Sequence, residues 1–207
     1  MKTLLIMRHG KSSWKDPDLP DRERPLAKRG IKDSRRMGLF IQEKELIPQR
    51  ILCSSAKRAV QTAQLFCETC GCPDTVEVLD ELYMAEAEMY IRALQTLPDE
   101  LERVMIIGHN PGLEFLLQML SGELVSLPTT VVAHLTLPVQ RWSELNEHTE
   151  GTLIEVWKPK ELPEEIIEQE KELRKEAKAA EKEVKGKKEK KEKKEEKKGK
   201  KKDKKNE

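Results

Sequence analysis

Short apolar runs alternate with longer amphipathic stretches from the N-terminus to about Pro159. Thr3–Met7, Arg50–Cys53, Val76–Leu79, Val104–Ile107, Val131–Leu137 and Thr152–Trp157 are brief and rich in branched residues, which predicts six strands. Between them, Leu26–Leu46, Ala56–Cys70, Glu86–Leu97 and Leu113–Leu120 repeat apolar residues three and four apart, the spacing of a helix that buries one face. Strand and helix in alternation predict an α/β fold with a mostly parallel central sheet and helices on both faces. The first and fourth strands are apolar without alternation, so they belong at the sheet centre. Pro128–Pro138 and the last strand are expected to add edge or antiparallel pairing.

From Lys160 the pattern collapses, and composition explains why. The last 48 residues hold 20 Lys/Arg and 15 Asp/Glu, so the tail is near +5 and the body near −4, although the whole chain sums to +1. Ile166, Leu173 and Ala180 recur every seven residues, which allows one charged helix within 160–184. From Lys185 to the end there are 14 lysines, six acids and no large apolar residue, too little to form a core, so this segment is expected to be disordered. Two roles stand open for it: a solubilising tail, or a contact for nucleic acid or another acidic surface. Residues 1–159 are thus read as one domain, followed by two tail segments. No apolar run approaches the length of a membrane span, and the opening LLIM is too short for a signal-peptide core, so a cytoplasmic location is expected.

The four cysteines are Cys53, Cys67, Cys70 and Cys72. The last three invite a metal reading, but zinc takes four ligands and no partner pair follows, so reduced thiols along a helix and its exit are expected.

Candidate chemistry gathers where strands end. Arg8-His9-Gly10 follows the first strand, and in open α/β sheets ligands bind beyond the carboxyl ends of the strands. Cys53–Arg58 follows the second strand and opens a helix; an arginine in a first helical turn opposes the dipole unless an anion compensates it. Gly108-His109-Asn110-Pro111-Gly112 follows the fourth strand, with Pro111 suited to the first helical position and Asn110 to the cap. In Arg22–Gly30, Arg24 precedes Pro25, which holds it extended, and it is the cation expected to point inward. Taken singly, Arg58 fits a surface arginine and His109 a capping-loop histidine. Together, two histidines and two or more arginines converge on one sheet edge without an acidic metal-binding cluster, a cationic pocket suited to a phosphoryl group.

LLIMRHGKSSW, RPLAKRG, ILCSSAKRAVQTA, LDELY and VMIIGHNPGL, in this order over residues 1–157, resemble the histidine phosphatase superfamily, in particular its short SixA-like phosphohistidine phosphatase branch. The resemblance implies a phosphoglycerate-mutase-like fold and a hydrolase without metal or other cofactor. It implies His9 as the nucleophile that becomes phosphorylated, and Arg8, Arg58 and His109 as the phosphate clamp. Arg24 matches the arginine before Pro-Leu in SixA-like members. Many superfamily members use a glutamate after the third strand as general acid, which points to Glu81. The neighbouring arginines are expected to lower the His9 pKa and keep it nucleophilic. About 20 residues separate Glu81 from Glu102, too few for an inserted lid, and an open site suits a protein-borne phosphate such as a histidine-containing phosphotransfer domain. A small-molecule phosphomonoesterase, a mutase-like transferase and a phospho-ligand binding module are the alternatives. A monomer is expected.

Overall fold

The computed structural model describes residues 1–72 and 76–179. Six strands form one sheet: β1 (Lys2–Arg8), β2 (Arg50–Ser54), β3 (Val76–Leu79), β4 (Arg103–Gly108), β5 (Val132–Leu137) and β6 (Thr152–Trp157). Their order is β3-β2-β4-β1-β5-β6. The first four are mutually parallel, β5 pairs antiparallel with β1, and β6 pairs antiparallel with β5. The expected α/β architecture is therefore present, with β1 and β4 at its centre.

Alternation along the strands divides the core. Leu4 and Ile6 of β1, with Val104 and Ile106 of β4, pack against α3 (Ala87–Gln95) and α4 (Gly112–Ser121). Leu5, Met7, Met105 and Ile107 face the other way, onto α1 (Lys28–Glu43) and α2 (Lys57–Cys70). Burial of both faces is why these strands lack the apolar–polar alternation of a half-exposed strand.

Helix α1 starts two residues later than its apolar spacing suggests, because Leu26 is in an isolated bridge with Ser12 and its N–H donates to Gln61 Oε1 at 2.8 Å. It ends at Glu43, and Glu45, at φ 57°, breaks the spacing that ran on to Leu46. Helices α1 and α2 meet closely at Gly38, where a Cβ would collide with Thr69 Oγ1 and the Phe66 carbonyl. That contact fixes α2, whose first turn carries Arg58.

The first compact unit spans Met1–Ile166 and so runs past Pro159, because Leu162 and Ile166 are buried beside Trp157. The second unit starts at Ile167. Residues 164–179 are helical, within the segment whose heptad spacing allowed it. Residues 180–184 and the Lys-rich segment 185–207, expected to be disordered, lie outside the described residues. Among the described residues no helix is long and apolar enough to cross a membrane.

Candidate active site

The carboxyl ends of β1, β2 and β4 open into a cleft of about 530 Å³ lined by Arg8, His9, Arg24, Arg58 and His109. Five of the six residues singled out from the sequence therefore meet in one place. Arg8 is the last residue of β1 and His9 the next; His9 N–H donates to the Gly108 carbonyl at 3.1 Å, which ties the β1 loop to the end of β4. His109 follows β4, and its ring centroid lies 4.9 Å from that of His9. Pro111 is the N-cap of α4, one place earlier than expected, and Asn110 donates its side-chain amide to the Leu127 carbonyl at 3.0 Å instead of capping the helix.

Hydrogen bonding fixes both imidazole tautomers. A carbonyl only accepts, so the 2.7 Å contact between His9 Nδ1 and the Gly10 carbonyl requires a proton on Nδ1 and leaves the lone pair on Nε2. Arg58 Nε–H donates to that lone pair at 3.2 Å. Arg58 also faces His109 Nδ1 at 3.4 Å, and a guanidinium only donates, so the His109 proton sits on Nε2, 2.7 Å from Ser54 Oγ.

Both rings are neutral at physiological pH. Burial is the first cause of the fall in the His9 pKa to about 4, with Arg58 and Arg8 adding to it against the Gly10 carbonyl and Asp21. The leading cause thus differs from the expected one, the arginine charges. His109 drops to about 3 through burial, then through His9 and Arg58. Two-bond ¹⁵N–¹H NMR correlations of the two rings are expected to keep their neutral pattern down to pH 5, where an unperturbed histidine is mostly protonated. Saturating tungstate supplies an anion that favours the charged forms, so both rings should then titrate at higher pH.

The cations differ in their partners. Arg8 NH1 donates to the Leu127 carbonyl at 3.1 Å, while its buried Nε has no hydrogen-bond partner among the described residues, a donor suited to an anion. Arg24 points inward as expected: it is buried, bonds Ser12 Oγ and Asp21 Oδ1 at 2.8 Å each, and stacks 3.1 Å from the centroid of the exposed Trp14 ring.

Glu81 is not brought to the cleft. The 3-10 turn Asp80–Leu82 puts Leu82 in the core and leaves Glu81 exposed, so the wall is made two and three residues on, by Tyr83 and Met84. The carboxylate that does line the cleft is Asp21, which sequence patterning did not single out. Arg58 NH2 and the Tyr83 hydroxyl each donate to Asp21 Oδ2 at 2.9 Å. Partial burial opposes its ionisation, but the bonds from Tyr83 and Arg58, the Arg58 charge and Arg24 outweigh it and hold the carboxyl below its ordinary range. Among the described residues no group of three or more His, Cys, Asp or Glu side chains is arranged to hold a metal ion.

Comparison with known proteins agrees with this geometry. Residues 4–114 match the model of the histidine phosphatase superfamily, branch 1. A chloroplastic protein of Arabidopsis thaliana is 31% identical over 153 residues, covering 69% of this chain and 70% of its own. The phosphohistidine phosphatase SixA of Escherichia coli is 30% identical over 138 residues, 65% of this chain and 84% of its own. A solved structure of the protein histidine phosphatase SixA with tungstate superposes with a TM-score of 0.67 at 28% identity, covering 78% of this chain and 99% of that one. With its family model matched over more than half its length, and the motif histidines and arginines gathered at one sheet edge, the chain belongs to the histidine phosphatase superfamily, a family of phosphatases.

Proposed function

We propose that this phosphatase removes the phosphoryl group from phosphohistidine in a protein. His9 Nε2 attacks phosphorus in line, forming a new P–N bond as the bond to the substrate imidazole breaks. Arg8 and Arg58 hold the equatorial oxygens, His109 joins them once the bound phosphoryl group favours a proton on its cleft-facing Nδ1, and Arg24 anchors the wall formed by Asp21 and Trp14. Water then attacks the phosphorylated His9, releasing inorganic phosphate and restoring the imidazole.

The observation that carries the substrate class is the placement of Asp21, whose carboxylate accepts from Arg24, Arg58 and Tyr83. It is the one carboxylate lining the cleft among the described residues, and its partners keep it ionised. An alkoxide leaving group needs a proton from the enzyme, which an ionised carboxylate does not supply. A phosphorylated imidazole brings its own proton on the remote ring nitrogen, since histidine titrates near neutrality. Asp21 is suited to accept that N–H and to favour the protonated leaving group. The name of the Escherichia coli relative, a phosphohistidine phosphatase, supports the same reading.

A protein-borne substrate also needs a surface beside the cleft. Met84 lines both the cleft and an adjoining groove with Phe115 and Met119, and Phe115 continues toward Leu124. Met84, Phe115 and Leu124 are all exposed, so an apolar track leads away from the site. The test is phosphate release from a phosphorylated histidine-containing phosphotransfer domain, measured beside para-nitrophenyl phosphate and phosphoglycerate. The phosphoprotein is expected to have the higher kcat/KM by ~10²-fold or more. Phe115→Glu is expected to cut that value about tenfold and to leave the small esters within about twofold. Faster turnover of phosphoglycerate would overturn the proposal in favour of a small-molecule phosphatase.

A further inference from the structure

The three cysteines at the end of α2 take no part in the phosphatase site. Cys67 lies in the last turn of α2 and Cys70 is its last residue. Gly71, at φ 72° and ψ 27°, caps the helix in the left-handed region that glycine enters without strain, and its N–H donates to the Cys67 carbonyl at 3.0 Å. This reversal brings Cys72 back beside Cys67, with Sγ–Sγ at 2.6 Å. The Cys72 thiol donates to Cys67 Sγ, so the two reduced sulfurs are already in direct contact.

We propose that Cys67 and Cys72 form a dithiol–disulfide site, oxidised by small-molecule disulfides. Accessibility sets the order of events. Cys67 is half-buried and open to an oxidant, whereas Cys72 is buried and Cys70 fully so, within the core beside Phe66. Cys53 lies fully buried on β2, out of reach of an oxidant and away from the end of α2. The Cys67 thiolate attacks one sulfur of the oxidant, forming a mixed disulfide and expelling one small thiolate. Cys72 sulfur then attacks Cys67 sulfur and expels the second. Two protein thiols and one small disulfide thus become one protein disulfide and two small thiols, which carry away both protons and both electrons.

The bond closes a six-residue ring across the helix cap and fixes the last turn of α2 to the exit segment. Arg58 stands at the other end of that helix, so the oxidation acts on the stability of the fold and not on the cleft.

Incubation of the full chain with oxidised glutathione tests the proposal, read by thiol titration and by intact mass after differential alkylation. Of four thiols, two are expected to disappear, with a loss of two hydrogens, no covalent dimer, full recovery on reduction and a Tm higher by roughly 2–6 °C. Cys70→Ala should still oxidise in this way. Cys72→Ser should instead retain one glutathione on Cys67. Four thiols persisting in wild type, or an internal disulfide surviving in Cys67→Ser, would overturn the assignment. The alkylation map of wild type decides the pairing even if a variant folds poorly.

Discussion

Phosphate release is expected to fall at least ~10³-fold when His9 is replaced by alanine, because no other side chain among the described residues presents a nucleophilic lone pair at the same point. Ser54 does not substitute for it, since its oxygen already contacts His109 Nε2 at 2.7 Å. His109 does not substitute either. Its ring centroid stands 4.9 Å from that of His9, so its Nδ1 lone pair does not lie where the His9 lone pair lies. The substitution leaves Arg8, Arg58 and His109 in place, so tungstate should still bind within about tenfold of wild type. The defect is therefore expected in kcat with KM little changed, the pattern of an interaction made only during the chemical step. In wild type, rapid quenching into base during turnover should trap an acid-labile phosphate on His9. A His9→Ala protein retaining a tenth or more of wild-type turnover would sink the nucleophile assignment, and so would trapped phosphate on another residue.

The parts of this site that could be read from the sequence are those that local pattern dictates. Arg8 and His9 sit where a short apolar run ends, and His109 stands in the same relation to β4. Because both strands are buried on two faces, their ends are sharp in the sequence, and the residues just past each end must emerge at the sheet edge. Arg58 was legible because a cation in a first helical turn is electrostatically out of place without an anion. Asp21 carried no such signal. It is one of four acids between Asp16 and Glu23, and nothing in their spacing selects the one that turns inward. Its selection depends on partners 37 and 62 residues away, Arg58 and Tyr83, which only the folded chain assembles. Glu81 illustrates the same limit over a shorter distance. A single 3-10 turn decides whether position 81 or position 83 faces the cleft, and the decision goes to Leu82, which the core takes. The Cys67–Cys72 approach was equally hidden, because Cys-x-x-Cys-x-Cys does not reveal that Gly71 reverses the chain between its last two members.

Arg58→Ala is expected to lower kcat/KM by about 10²–10⁴-fold, the range seen when a preorganised donor or an arginine that neutralises a transferring phosphoryl group is lost. The size follows from how much one guanidinium does. Its Nε–H meets His9 Nε2 at 3.2 Å, its NH1 meets the Asp21 carbonyl at 2.6 Å, and its NH2 meets both Asp21 Oδ2 at 2.9 Å and His109 Nδ1 at 3.4 Å. Both imidazoles and the cleft carboxylate are thus held by a single buried fork. Arg58→Lys restores the charge but not the planar set of donors, so it should recover no more than about tenfold of the loss. The protonation state of His9 separates the two contributions. Arg58 lowers the His9 pKa, so its removal raises it from about 4, yet burial is the larger cause and keeps the ring below 6.5. His9 therefore remains neutral at pH 7 in the variant, and the lost rate reflects lost phosphoryl stabilisation and lost alignment, with the nucleophile still unprotonated. Ring NMR of Arg58→Ala showing a cationic His9 at pH 7 would reverse that conclusion and make protection of the lone pair the main task of Arg58.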